Sequence, residues 1–178
     1  GGLINQLRNP VVLWEALDHL CAISPVLNEQ LAIQLVGTID PAIQTSLNKL
    51  NHLKSKFTIE PYKSHDQILK DYEAADILLL LVNNSDNAKA NIPGKLFEYI
   101  ATGKPILLMA PEGTDAAIIL KGYLSSIDFQ YDDPISNLKA LQSFIEGSKD
   151  SIDNSDFKLN FERQKLTKSL VDIIHNLD

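Results

Sequence analysis

A single cysteine, Cys21, has no partner for an internal disulfide, so packing and hydrogen bonds must hold this chain together, as suits a reducing compartment. Long apolar runs are lacking too. The longest, Ile77 to Val82, falls far short of the roughly 20 residues a helix needs to cross a bilayer, and the N-terminus carries no signal-peptide pattern. Positive charge is in deficit: 16 Lys and Arg face 23 Asp and Glu, and a net charge of −7 disfavours nonspecific nucleic-acid binding and a basic membrane-binding patch. The histidines, His19, His52, His65 and His175, stand apart from one another without the Cys or carboxylate spacing of a metal site, so no metal is read. No G-x-G-x-x-G turn follows a strand and no Gly-x4-Gly-Lys-Ser/Thr loop is present, which disfavours an NAD-binding Rossmann domain and a P-loop protein.

What is present fits one globular domain over residues 1–178, with 44% hydrophobic content to fill a core. Helical and strand-like segments alternate. Helices are expected over Pro10 to Ala22, Pro41 to about Leu53 behind an Asp40 cap, His65 to Ala75, Asp115 to Leu124, Pro134 to Glu146 and Asn160 to Leu177. Strands are expected over Leu31 to Val36, Phe57 to Pro61, Ile77 to Val82 as the central strand, Pro105 to Met109, and Ile127 to Tyr131. A polar linker runs from Gly147 to Ser155. The fold class is α/β, a doubly wound, Rossmann-like parallel sheet with helices on both faces. Trp14 and Cys21 sit at i and i+7 of the first helix and read as packing.

The densest segment runs from Asn91 to Leu108. Asn91 reads as an N-cap, Pro93 as a first-turn residue, and Gly103 with Lys104-Pro105 as a stop. Ile92, Leu96 and Ile100, with Phe97 and Ala101 beside them, form a stripe that turns Lys95 and Glu98 toward the open end. Gly94 lets a ligand come close to the first amides. A phosphate suits such a helix start, and a carboxylate one turn further in suits ribose hydroxyls. An ordinary helix-to-strand unit with an i,i+3 Lys95–Glu98 pair fits the same pattern.

The stretch Ile92-Pro-Gly-Lys-Leu-Phe-Glu-Tyr-Ile-Ala-Thr-Gly-Lys-Pro-Ile106 resembles the signature of the C-terminal, donor-binding domain of GT-B glycosyltransferases, in the large retaining group that includes many bacterial lipopolysaccharide and capsule enzymes. The likeness extends through Ala75-Asp-Ile-Leu-Leu-Leu-Leu81, Leu35-Val-Gly37 and Arg163-Gln-Lys-Leu-Thr167, covering nearly the whole chain. It implies transfer of a sugar from a nucleotide sugar to a hydroxyl acceptor in cell-surface polysaccharide or glycolipid synthesis. Glu98 would hold the ribose, and the amides at Ile92, Gly94 and Lys95 would face the diphosphate. Arg8 falls where the family grips the donor phosphates, while a second basic position falls on Gly2. The loop Pro61-Tyr62-Lys63-Ser64-His65 would read a base edge through its backbone, with Tyr62 and Ser64 among the binding residues. The leaving diphosphate would be stabilised by Arg8, Lys95 and helix amides, with no cofactor and no metal. Catalytic residues cannot be assigned.

The same resemblance makes the chain a fragment without its N-terminal acceptor-binding domain, and Gly1-Gly2 leaves open whether the opening strand is missing as well. The fragment alone is then expected to be inactive. The parent would work in the cytoplasm, free or peripheral at the inner face of the membrane, with nucleotide sugar and an acceptor glycan or glycolipid as partners, no nucleic acid and no transmembrane segment. One departure stands out. The retaining group commonly carries Glu-x7-Glu, and eight positions before Glu98 this chain has Ala90. The loop Asn83-Asn84-Ser85-Asp86-Asn87 is the alternative source of sugar contacts, or else a solvated turn. Two other classes compete: a sugar-nucleotide epimerase of the same fold, for which no set of catalytic acids and bases is visible, and a non-catalytic doubly wound binding or signalling domain. A phospho-receiver would share Lys104-Pro105 but needs clustered aspartates where this chain has Asn83-Asn84.

Overall fold

Short polar residues and prolines set where several helices start. In the computed structural model, which describes residues 2–132, 134–147 and 153–175, the Ser24 hydroxyl accepts the Leu27 amide at 3.3 Å, an Asp40 carboxylate oxygen accepts the Ala42 amide at 2.8 Å, and the Thr114 hydroxyl accepts the Ala117 amide at 3.4 Å. Each takes up an N–H that the first turn leaves without an intrahelical partner. Pro25 and Pro41 follow two of these caps, where a missing N–H has no consequence. The helices are α1 (Val11–Ile23), α2 (Pro25–Gln30), α3 (Pro41–Leu47), α4 (His65–Ala74), α5 (Lys95–Thr102), α6 (Asp115–Leu120), α7 (Pro134–Gly147), α8 (Ser155–Leu159) and α9 (Arg163–His175), with short 3-10 turns over Lys54–Lys56 and Asp86–Ala90.

The strands are β1 (Ile33–Val36), β2 (Phe57–Glu60), β3 (Leu78–Leu81), β4 (Ile106–Ala110) and β5 (Ser126–Gln130), and every strand pair among the described residues is parallel. β1 pairs with β2, placing Ile33 opposite Phe57, while β3, β4 and β5 form a second ladder in that order. β4 is buried along its whole length and divides the core by alternation. Ile106, Leu108 and Ala110 pack with Tyr72 of α4, with Leu96, Tyr99 and Ile100 of α5, and with Ala116 and Leu120 of α6. Leu107 and Met109 join Phe129 in packing against Leu13, Trp14, Leu17 and Leu20 of α1 and Leu141 of α7. Each fully buried Leu or Ile in these clusters contributes roughly 1.5–3 kcal/mol of transfer free energy. The fold is α/β, with parallel sheets flanked by helices.

Several boundaries differ from the sequence pattern, each for a reason remote in sequence. Ile77 to Val82 reads as the central strand, but β3 pairs on one side only and β4 holds the middle of its ladder. α3 stops at Leu47 instead of reaching Leu53, because the Asp18 carboxylate on α1 accepts the amides of His52 and Leu53 at 2.7 Å and of Asn51 at 3.4 Å, pinning a turn there. α6 ends at Leu120, four residues early, since the Tyr123 amide folds back onto the Leu120 carbonyl and its ring is buried. Part of the linker read over Gly147 to Ser155 lies outside the described residues. From Ser155 the chain forms α8, whose Phe157 packs on Tyr123 with ring centroids 5.5 Å apart. α9 starts at Arg163, and Leu166, Leu170 and Ile173 on its apolar side are exposed.

Desolvation opposes the Asp18 charge, but the amides of Leu53, His52 and Asn51 outweigh it and hold the carboxyl below its ordinary range. A depressed folded-state pKa means this contribution is complete above the unfolded value of about 3.9 and is lost as pH falls through the folded value. Asp18→Ala is therefore expected to lower stability by about 1.5–3 kcal/mol at neutral pH in urea unfolding, and its gap from the parent should narrow below about pH 4.

Candidate functional site

Parallel strands send every strand-to-helix loop to the same carboxyl edge, and the candidate residues collect there. The segment from Gly2 to Arg8 crosses that edge. The Leu3 amide donates to the Thr38 carbonyl at 2.9 Å just beyond β1, and the Leu7 carbonyl accepts the Asn84 amide at 2.6 Å just beyond β3. Gly2 lies against Thr38, where a Cβ would meet the carbonyl oxygen at 3.4 Å. It offers backbone only, where the resemblance led to the expectation of a second basic position. Arg8 is half-buried with its amide on the Ile4 carbonyl at 2.8 Å, and its Nε is buried without a hydrogen-bond partner among the described residues. Its charge is felt by Tyr131, whose hydroxyl donates to the Val82 carbonyl at 2.8 Å. Burial pushes that hydroxyl up to about 12, and the Arg8 guanidinium pulls against the shift.

The start of α5 is open, but not in the way the sequence pattern places it. Asn91 does not cap the helix. It closes the preceding 3-10 turn, with its amide on the Ala88 carbonyl at 3.1 Å, and Gly94 takes the N-cap position without any side-chain cap. The Leu96 and Phe97 amides bond back to the Pro93 and Gly94 carbonyls, whereas those of Ile92, Gly94 and Lys95 meet no acceptor among the described residues. Nothing lies within 4 Å of where a Gly94 Cβ would project. The stripe is also rotated: Leu96, Tyr99 and Ile100 are buried, while Phe97 is 40% and Ile92 38% exposed. Tyr99 wins the inward position through an edge-to-face contact with Tyr72, ring centroids 4.8 Å apart, and Phe97 instead meets Phe161 at 5.5 Å.

Lys95 is exposed and Glu98 half-buried, and no ion pair joins them among the described residues. Glu98 lies toward α4, beside Tyr72. Burial raises the Tyr72 hydroxyl, and the Glu98 carboxylate raises it further. Tyr72 is the neighbour that sequence reasoning missed, since nothing local ties a residue in the last turn of α4 to one in the first turn of α5. Gly103 ends the helix as its sequence predicts, in the left-handed conformation at φ 77°.

The loop between β2 and α4 divides its candidates. Tyr62 is 87% exposed, so its ring is available for stacking. Ser64 is occupied: it forms a capping box, its amide donating to the Gln67 side-chain oxygen at 2.9 Å, its hydroxyl accepting the Gln67 amide at 3.4 Å, and its carbonyl accepting the Ile68 amide at 3.0 Å. Lys63 between them is held by Glu60 and, at 2.8 Å, by Asp71. A separate cleft of about 520 Å³ lies between α1 and α3, lined by Asp18, His19, Lys49 and His52 among others, and contains none of the candidate site residues. Among the described residues no three His, Cys, Asp or Glu side chains gather as a metal site.

No protein-family model matches this chain, and no curated protein matches it. Ser64→Ala should lower stability by about 1 kcal/mol through loss of the cap, while Tyr62→Ala should leave it within about 0.5 kcal/mol, both read from chemical denaturation.

Proposed function

We propose that this domain binds a nucleoside diphosphate at its carboxyl edge and serves as the donor half of a two-domain glycosyltransferase, a doubly wound, Rossmann-like unit of GT-B type. The observation that carries this reading is the buried Arg8 Nε, on the same sheet edge as the Ile92, Gly94 and Lys95 amides of the α5 start, all four without a hydrogen-bond acceptor among the described residues. A buried donor without an acceptor costs about 1–3 kcal/mol, and an anion bound there removes that cost. The open N-terminus of α5 adds a partial positive charge and backbone N–H groups beside Gly94, where a Cβ would meet nothing within 4 Å.

In this reading the diphosphate lies between Arg8 and the Ile92 to Lys95 amides, with Lys95 screening its outer oxygens. Glu98, about one helical turn further in, accepts hydrogen bonds from the ribose hydroxyls. Tyr62 stacks on or borders the base. Ser64 acts through the cap that shapes the loop. Cleavage of the sugar–phosphate bond builds negative charge on the leaving oxygen, and donors fixed in advance stabilise that charge more than they stabilise the ground state. The hydroxyl acceptor binds a separate N-terminal domain, so donor binding survives here without transfer.

Calorimetry with uridine, guanosine and adenosine diphosphates tests the assignment. Glu98→Ala should weaken the preferred diphosphate by about ten- to a hundredfold. The Arg8→Ala/Lys95→Ala double variant should lose most of the preference for diphosphate over nucleoside and flatten its salt dependence. An unchanged preference in the double variant contradicts the phosphate assignment, and unchanged affinity in Glu98→Ala removes the ribose contact.

A further inference from the structure

The cleft between α1 and α3 gathers polar side chains that the fold leaves without partners. About 520 Å³ in volume, it has half-buried Val11 and Leu50 and fully buried Trp14 at its floor and exposed polar residues at its rim. Glu15 and His19 stand on α1, while Lys49, Asn51 and His52 follow α3 on the facing wall. None of these five side chains has a hydrogen bond or ion pair among the described residues. We propose that this cleft binds a zwitterion with an apolar body, a free apolar amino acid or a dipeptide, with its ammonium on Glu15 and its carboxylate on Lys49.

The two walls carry opposite charges that do not neutralise each other. Glu15, Asp18 and His19 share one face of α1 at i, i+3 and i+4. Asp18 is engaged: its carboxylate accepts the amides of His52 and Leu53 at 2.7 Å and of Asn51 at 3.4 Å, which fixes the wall that presents Asn51 and His52. The Ser46 hydroxyl is engaged too, donating to the Ile43 carbonyl at 2.7 Å. Glu15 is then the carboxylate left open to a ligand and Lys49 the ammonium, and although both line the same cleft, no ion pair joins them. A ligand with only a negative charge would meet Glu15 on the α1 wall, and one with only a positive charge would meet Lys49 opposite. A ligand that carries both, correctly oriented, meets a complementary charge on each wall.

The floor selects the body of the ligand. Trp14 is held edge-to-face against Phe57 with ring centroids 5.2 Å apart, and with Val11 and Leu50 it forms an apolar surface suited to an aliphatic side chain. The indole N–H is buried and meets no acceptor among the described residues, so the floor carries a donor with no acceptor of its own. The volume lies within the roughly 300–1,000 Å³ of small-molecule sites and has room for one apolar residue or two. The cleft shares no residue with the diphosphate site proposed at the carboxyl edge.

Trp14 is the single tryptophan of the chain, so its emission reports the cleft directly. L-leucine and L-leucyl-L-leucine are titrated by tryptophan fluorescence and calorimetry, each beside its N-acetyl form, which lacks the ammonium, and its amide, which lacks the carboxylate. A zwitterion should bind saturably, and the tighter of the two assigns the ligand as amino acid or dipeptide. Its blocked forms should bind about three- to tenfold more weakly. Glu15→Gln should weaken the zwitterion by a similar factor and leave the N-acetyl form unchanged, whereas Lys49→Met should weaken the zwitterion and leave the amide unchanged. Both side chains are exposed, so neither exchange disturbs the core. No saturable change with either zwitterion, equal binding of the blocked forms, or parental affinity in either variant would overturn the proposal.

Discussion

The constraint on which the rest of the molecule depends is the burial of β4 on both faces. A strand with Ile106, Leu108 and Ala110 on one side and Leu107 and Met109 on the other needs an apolar layer against each, and α4, α5 and α6 supply one while α1 and α7 supply the other. Of these, α4, α5 and α6 connect successive parallel strands, and parallel strands bring their strand-to-helix loops to one edge. The site follows from that geometry. The Tyr62 loop and the α5 start follow β2 and β3 to the carboxyl edge, and the backbone bonds of Leu3 and Leu7 bring Arg8 there from a distant part of the sequence.

Electrostatics then narrows what that edge can do. With a net charge of −7 the chain must collect positive potential locally to hold an anion. Lys63, the cation in the loop after β2, is already committed to Glu60 and Asp71. Arg8 and Lys95 are not so engaged among the described residues, and the α5 N-terminus adds its dipole beside them. Glu98 sits one turn inward, flanked by Tyr72, so the only carboxylate in the first turn of α5 is held toward α4 and away from the outermost amides.

Much of the fold was legible in the residues, and the exceptions share one cause. Strands and most helices follow from apolar runs and caps that are local: the Asp40 cap and the Gly103 stop lie where the sequence puts them. The failures come from contacts between residues far apart in sequence. Asp18 shortens α3 from more than 30 residues away, Tyr72 draws Tyr99 inward in place of Phe97, and β4 takes the middle of its ladder because β3 finds a partner on one side only. Within the candidate site, Glu98, Lys95 and Tyr62 were visible as types, and the Ser64-x-x-Gln67 capping box is a local signature that sequence reading passed over, whereas the orphaned Nε of Arg8 is a property of packing that no local pattern encodes.

The proposed site seats a diphosphate between Arg8 and the first amides of α5. A nitrogen-15 NMR titration with a nucleoside diphosphate observes both ends of that contact at once. The Gly94 and Lys95 amides and the Arg8 Nε–H should shift together along one binding curve, as donors do when they gain a charged acceptor. Shifts confined to the cleft between α1 and α3, around His19 and His52, or an Arg8 Nε–H that stays fixed while the α5 amides move, would contradict it.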